Sequence, residues 1–373
     1  MRINGRWAAS GVALVAVLSS AASAHASAAS AQATDGWSAA SASGVGGPVS
    51  SFSDSDAWAL GSSGFAHWNG ASWQQFAAPS SLGTVLAVTD DGPGDAWAVG
   101  RIVSGYRASS PQIAHWDGSS WTLSASPAIS ARFATLSSVA ALGRDNAWAV
   151  GTDGHSALVE HWDGTAWSRV TVPDPGAGTI YSSRLTALAA RSANDIWAVG
   201  TFDNPAPAPA QLYALHFDGS RWQNVAMAQT GSVTNSDNPY VASLVATSAN
   251  DVWMVGSHSS SVTLTEHWNG TAWSIVPSPF NRVGGDVIAG SLAAVTARSS
   301  TDVWAAGSYI TFHDGDSAPV NHALILHWTG TAWSQDAVPT SGSYNVLQGI
   351  STTAAGHRIW ATNAGSPNVF QHS

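Results

Sequence analysis

Tryptophan returns in this chain with the regularity of a repeat. Asp-x-Trp-Ala-Val-Gly, or a close variant, is centred on Trp58, Trp97, Trp148, Trp197, Trp253, Trp304 and Trp360, at intervals of 39 to 56 residues. Leu-x-x-Val-x-Ala and a polar turn stand before it. After it, across a connection of variable length, comes His-Trp-Asp-Gly-x-x-Trp-Ser. That last segment supplies a second aromatic series, Trp68, Trp116, Trp162, Phe217, Trp268 and Trp328. A third follows five residues later: Trp73, Trp121, Trp167, Trp222, Trp273 and Trp333. With Trp37, these series account for every Trp beyond Trp7.

A unit near 50 residues that holds four short β-runs predicts a propeller blade and not a turn of helical solenoid. The runs are branched and aromatic, bounded by Gly, and no segment has a helical period. Asp-Gly and Asn-Gly at 69–70, 117–118, 163–164, 218–219 and 269–270 mark tight hairpins between the third and fourth runs. With strands lettered A to D from the central channel outward, the prediction is an all-β, seven-bladed β-propeller with four-stranded blades over residues 34–373. The seventh unit has a strand A near Val346, B at Trp360 and C near Val369, but no D. Asp35-Gly-Trp-Ser is a surplus D strand at the other end. Trp37 is therefore expected to close the last blade, which removes exposed sheet edges.

Residues 1–33 read as a secretory signal peptide and short lead. Arg2 and Arg6 are followed by an apolar stretch, Gly11 to Leu18, too short to span a bilayer. Ala22-Ser23-Ala24 and Ala24-His25-Ala26 both fit small-x-small cleavage sites. The expectation is a secreted, extracellular monomer without a membrane span. The chain has no Cys, which excludes disulfides, thiolate metal sites and a cysteine nucleophile. Its 13 bases, all Arg, face 23 acids for a net charge of −10. Such a chain is a poor counter-ion for phosphate, so no nucleic-acid partner is expected.

At the repeat residues the chain resembles secreted bacterial β-propellers of the kelch-like kind. The kelch unit sets Gly at the end of strand B, an aromatic in strand C and a Trp in strand D. Here Gly100, Gly151, Gly200, Gly256 and Gly307 hold the first place, Trp116, Trp162 and Trp268 the second, and Trp121, Trp167 and Trp273 the third. The resemblance spans residues 34–373. It departs in having one Gly for the kelch doublet and in the added Asp-x-Trp. Copper oxidases resembling galactose oxidase use this kind of propeller, but their Cys–Tyr crosslink is impossible without Cys. A propeller hosts many functions, so the resemblance implies a fold and not an activity.

Six repeated His (His67, His115, His161, His216, His267, His327) suggest metal ligands, but they fall on six blades, far from the channel. Hydrogen bonds to backbone or Ser within each blade are the expectation for them. The repeated Asp (Asp56, Asp95, Asp195, Asp251, Asp302) are expected to accept backbone N–H bonds and fix the A–B turns. No metal or other cofactor is expected, with His313-Asp-Gly-Asp316 the one calcium-like oxygen cluster weighed.

Function belongs where the repeat breaks. The A–B and C–D turns share one face and are uniform, whereas the B–C and D–A connections share the other and vary. Long B–C loops are predicted at Arg101–Gln112, Thr201–Gln211 and Ser308–His322. Ligand-binding candidates are the residues entering strand A on the variable face: Arg132, Phe133, Tyr181, Arg184, Asp237, Tyr240 and Tyr344, with Asn238 and Asn345 beside them. Arg, Tyr and Asn suit polar ligands. No catalytic residue is assigned. Asp237 with Asp286 as paired carboxylates, or Arg132, Arg184 and Arg282 as an Arg triad, carry no signature spacing. The sequence favours a binding module for an extracellular glycan, cell-wall polymer or protein. The alternative is a carbohydrate-active enzyme, a glycosidase or polysaccharide lyase, on the same face.

Overall fold

In the computed structural model each repeat becomes one four-stranded antiparallel sheet, and seven such sheets form the ring of a β-propeller. The structure describes residues 36–372 except 41, 106–107, 130–131, 178–179, 181, 205–207, 230–237, 259–261, 281–286, 313–317, 340–343, 354–355 and 365–367. The predicted signal segment therefore lies outside the described residues. Among the described residues no helix is long and apolar enough to cross a membrane. Blade 4 shows the plan: strand A is Ser183–Ser192, B Asp195–Phe202, C Gln211–Phe217 and D Trp222–Val225.

Closure follows the expectation. Blade 7 takes Leu347–Ser351, Ile359–Asn363 and Val369–His372 from the end of the sequence, and its fourth strand is Trp37–Ala40. Trp37 stands opposite His372, as Trp73 stands opposite Trp68 in blade 1. His372 therefore holds the strand-C aromatic place of the last blade.

The apolar core lies between blades, in seven clusters that each straddle two neighbouring sheets. Every strand-B Trp reaches into the next blade and packs against its strand-C and strand-D aromatics. Trp253 lies 4.8 Å from Trp328 and 5.2 Å from Trp333, and Trp360 lies 4.9 Å from Trp68 and 5.2 Å from Trp73 across the closing seam. Edge-on and tilted pairs of this kind add about 0.5–1.5 kcal/mol each to the burial of their area. The period of Trp in the sequence is thus the period of the interfaces.

The inner strands are irregular at one repeated point. Each carries a register shift near its start, which leaves Leu86, Ser137, Thr186, Ala242, Ala293 or Gln348 bulged toward the channel, with Gly47 and Pro48 in blade 1. The bulge explains the strand-B glycine. A Cβ at Gly100, Gly151, Gly200, Gly256 or Gly307 would collide with the carbonyl oxygen of Thr84, Thr135, Arg184, Tyr240 or Ser291, just before the bulge. Gly is needed here for close backbone approach and not for an unusual φ.

Two of the predicted long loops are largely strand. Arg101 pairs with Pro111 and Val103 with Ser109 in blade 2, and Thr311 pairs with Val320 in blade 6. Branched residues such as Ile102, Val103, Ile310 and Thr311 favour the ladder, so strands B and C run on above the ring as extended hairpins.

Candidate functional site

The repeated His and Asp turn out to serve each other. In five blades the His Nε2 on strand C donates to the Asp Oδ1 that opens strand B: His67–Asp56 at 2.5 Å, His115–Asp95 at 2.6 Å, His216–Asp195 at 2.8 Å, His267–Asp251 at 2.5 Å and His327–Asp302 at 2.9 Å. In blade 3, Asn146 replaces the Asp and lies 3.0 Å from His161. Each His ring also lies over the strand-B Trp of its blade, from 3.8 Å for His327 on Trp304 to 4.5 Å for His67 on Trp58. The expected backbone and Ser partners of these His, and the expected backbone partners of the Asp, are thus corrected to a Trp–His–Asp unit. A carboxylate accepts at short range from an N–H donor at half-buried depth, where such a bond outcompetes a neutral one.

Electrostatics follow the partners. Burial alone would raise the Asp251 carboxyl, but bonds from His267 and Thr247 outweigh it and hold the group below its ordinary value. His161, facing a neutral amide, is pushed down by burial. Blade 7 has Arg358 and Gln371 where five other blades have Asp and His. There the Arg358 guanidinium takes over, 5.2 Å from the Trp360 ring and 4.9 Å from Trp68. Among the described residues no group of three or more His, Asp or Glu converges to hold a metal ion. His313–Asp316 lies outside them.

The variable face is different in kind. Of the eleven exposed large apolar side chains among the described residues, eight sit on it: Leu86, Val103, Phe133, Ile180, Tyr240, Ile288, Phe312 and Tyr344. Phe52 alone belongs to the opposite, A–B/C–D face; Leu123 and Ile275 lie on outer strands.

The predicted site residues scatter over this face. Arg132 is exposed, and its carbonyl accepts the Ser109 N–H at 2.8 Å, which ties the entry to blade 3 onto strand C of blade 2. Phe133, 51% exposed, bridges to Ser109 beside the blade-3 hairpin at Gly154. Tyr344, 59% exposed, makes the same bridge to Asn321 at the entry to blade 7. Arg184 pairs with Asp203 at 3.0 Å, both partly exposed. Tyr240, 57% exposed, stands at the lip of the channel. Tyr181 and Asp237 lie outside the described residues, as do Arg282 and Asp286.

Among the described candidates only Tyr240 lines the recess that opens the channel. This recess, about 610 Å³, is otherwise bounded by bulge residues and their neighbours, including Ser137, Thr186, Ser291 and Gln348. Sequence reasoning missed these four. Beneath it the channel continues for about 320 Å³ between all seven inner strands.

No family model matches the chain, and no curated protein matches it. Solved structures do. The chain is similar to YCF48 bound to D1 peptide, at 14% identity over 91% of this chain and 95% of that one, with a TM-score of 0.56. It is similar to U3-55K at 11% identity, over 90% and 98%, with a TM-score of 0.59. It is similar to the polysaccharide lyase PL25-Ulvanlyase at 12% identity, over 88% and 93%, with a TM-score of 0.53. At such identities the likeness establishes the propeller fold alone.

Proposed function

We propose that this protein is a secreted, monomeric, kelch-like propeller module that binds an extracellular glycan through its B–C/D–A face. The observation that carries the reading is the segregation of exposed apolar and aromatic side chains onto that face. A sugar offers an apolar ring face and a rim of hydroxyls. Exposed Phe and Tyr rings cover the first, and Ser, Thr and amide groups bond the second. The similarity to a polysaccharide lyase supports a glycan ligand; the similarity to a propeller bound to a peptide makes a protein ligand the competing outcome. The test is a glycan and polysaccharide array with the purified chain, followed by product analysis on every hit. Retention without product supports the module. Turnover would replace it with a carbohydrate-active enzyme on the same face. A blank array would sink both and direct the search to a protein partner.

A further inference from the structure

We infer that the channel mouth seats one uncharged sugar residue of the ligand and refuses acidic ones; the inference rests on the glycan reading above. Six blades each contribute a bulge residue to the recess, among them Ser137, Thr186, Ala242 and Gln348. Among the described residues, neither the recess nor the channel below it is lined by any Asp, Glu, Arg, Lys or His. Among the described residues, Arg132 is exposed on this face away from the recess, Arg184 is neutralised by Asp203 at 3.0 Å, and Arg169 by Asp153 at 2.6 Å. A carboxylate entering a recess without a counter-charge loses hydration that nothing there restores. Neutral hydroxyls meet no such penalty.

The polar groups present match hydroxyls of either sense. Thr186 donates its hydroxyl to the Val241 carbonyl at 2.9 Å, so its lone pairs are what it offers. Gln348 accepts the Gly47 N–H on Oε1 at 3.0 Å, so its carboxamide N–H groups remain to donate. Ser137 and Ser291 do either. The Tyr240 ring supplies the apolar wall at the lip. A recess of about 610 Å³ lies within the range of small-ligand sites and holds a mono- or disaccharide end. Phe133 and Tyr344 occupy equivalent positions, three residues before the buried Leu136 and Leu347, in blades 3 and 7. With Tyr240 in blade 5 they put exposed aromatic rings on three alternate blades of the same face, over which the rest of a longer ligand passes.

The test compares neutral oligosaccharides (gluco-, manno- and xylo-series) with uronate oligosaccharides of equal length, by titration calorimetry on the purified chain. Ala242→Arg, which fills and charges the mouth, and Tyr240→Ala, which strips the lip, are measured beside the parent, with melting temperature as the folding control. The expected result is binding of a neutral series at least tenfold tighter than its uronate counterpart. Both variants should lose tenfold or more of that binding with the melting temperature kept. Uronates bound as tightly as neutral sugars, or neutral binding untouched by both variants, would overturn the inference while leaving a glycan-binding face in place. Binding of neither series would overturn the glycan reading itself.

Discussion

The two faces of the propeller are built by opposite rules. On the A–B/C–D face one set of contacts recurs in most blades, with blade 7 the clearest departure. The strand-C Trp indoles donate to the A–B turn carbonyls of their own blades, Trp68 to Asp54 at 3.0 Å and Trp162 to Arg144 at 2.9 Å, and the His–Asp pairs lock the same turns. The C–D turns are capped by Asp117, Asp163 and Asp218, each accepting two successive backbone N–H bonds on one oxygen. The hydroxyl of Ser119 or Thr165, and then those backbone bonds, hold Asp117 and Asp163 at about 2. On the B–C/D–A face the connections differ in length from blade to blade, and apolar side chains face water. One end of the ring binds its turns with recurring hydrogen bonds, within blades and between neighbours such as Arg144 and Gly94. The other leaves surface free for something else to satisfy.

Opening the ring should break this division most severely. Deleting residues 34–42 removes Trp37 from its place 5.7 Å from Trp304 and bares the edge of Val369–His372. Losing one such buried Trp costs about 3–5 kcal/mol, so a melt of the truncated chain should show a large fall, and binding should vanish with it. An unchanged melt would dismiss closure as a source of stability.

A second test separates stability from binding by pH. The chain has only two Glu, Glu160 and Glu266; both are fully buried, at the same strand-C place before His in blades 3 and 5. Burial raises Glu160 to about 7, against bonds from the Ser126 hydroxyl, and raises Glu266 to about 8. Asp90 is likewise raised to about 8, by burial and then by the charge of Asp56. The folded state keeps protons that the unfolded chain releases above about 4.3. The stability these glutamates lend is therefore full below that value and is lost as pH rises through 7 to 8. The loss should be on the order of a few kcal/mol, and Glu160→Gln with Glu266→Gln should flatten it. Denaturant midpoints between pH 4 and 9 decide this; parallel slopes in parent and double variant would rule the glutamates out.

Cutting one lock on the uniform face should matter less. Asp251→Ala leaves His267 unpartnered and should cost about 1–3 kcal/mol in denaturant unfolding, with glycan retention unaltered. Reduced retention in a folded variant would show that the two faces are coupled. The smallest change in stability is expected from Arg184→Ala. Its exposed pair with Asp203 is worth about 0.2–1 kcal/mol, so the melting curve should barely move. A larger drop would mean that the variable face also braces the ring.

Much of this was legible beforehand because Trp is both rare in proteins and periodic here. One indole per blade interface makes the interfaces countable, and the stray Trp37 pointed to the closing strand. What escaped notice depends on relations across the repeat. His and its Asp are separated by 11 to 25 residues, since the B–C hairpins differ in length. Yet blade 7 lacks both together and blade 3 keeps the His with an Asn, a covariation inside one chain that points to the pairing. The strand-B Gly could be seen but not explained, because its reason is a carbonyl on another strand. The channel mouth was missed for a similar cause: Ser137, Thr186 and Gln348 are ordinary residues made special by a bulge. The aromatic candidates were found by their place before strand A, but position along the chain does not say which of them meets the channel.

The seam in blade 7 also sets an order of events. Trp37 and His372 pair across all seven blades, so the ring cannot close before Val369–His372 has been made. Until the final strand is available, the first strand has no partner and the growing stack of blades has an unpaired edge. Joining ends so distant carries a loop-closure cost that grows only slowly with length, but it comes late. The same pairing that covers the edge of Val369–His372 in the finished molecule leaves that edge bare in any chain in which Trp37–Ala40 has not yet docked.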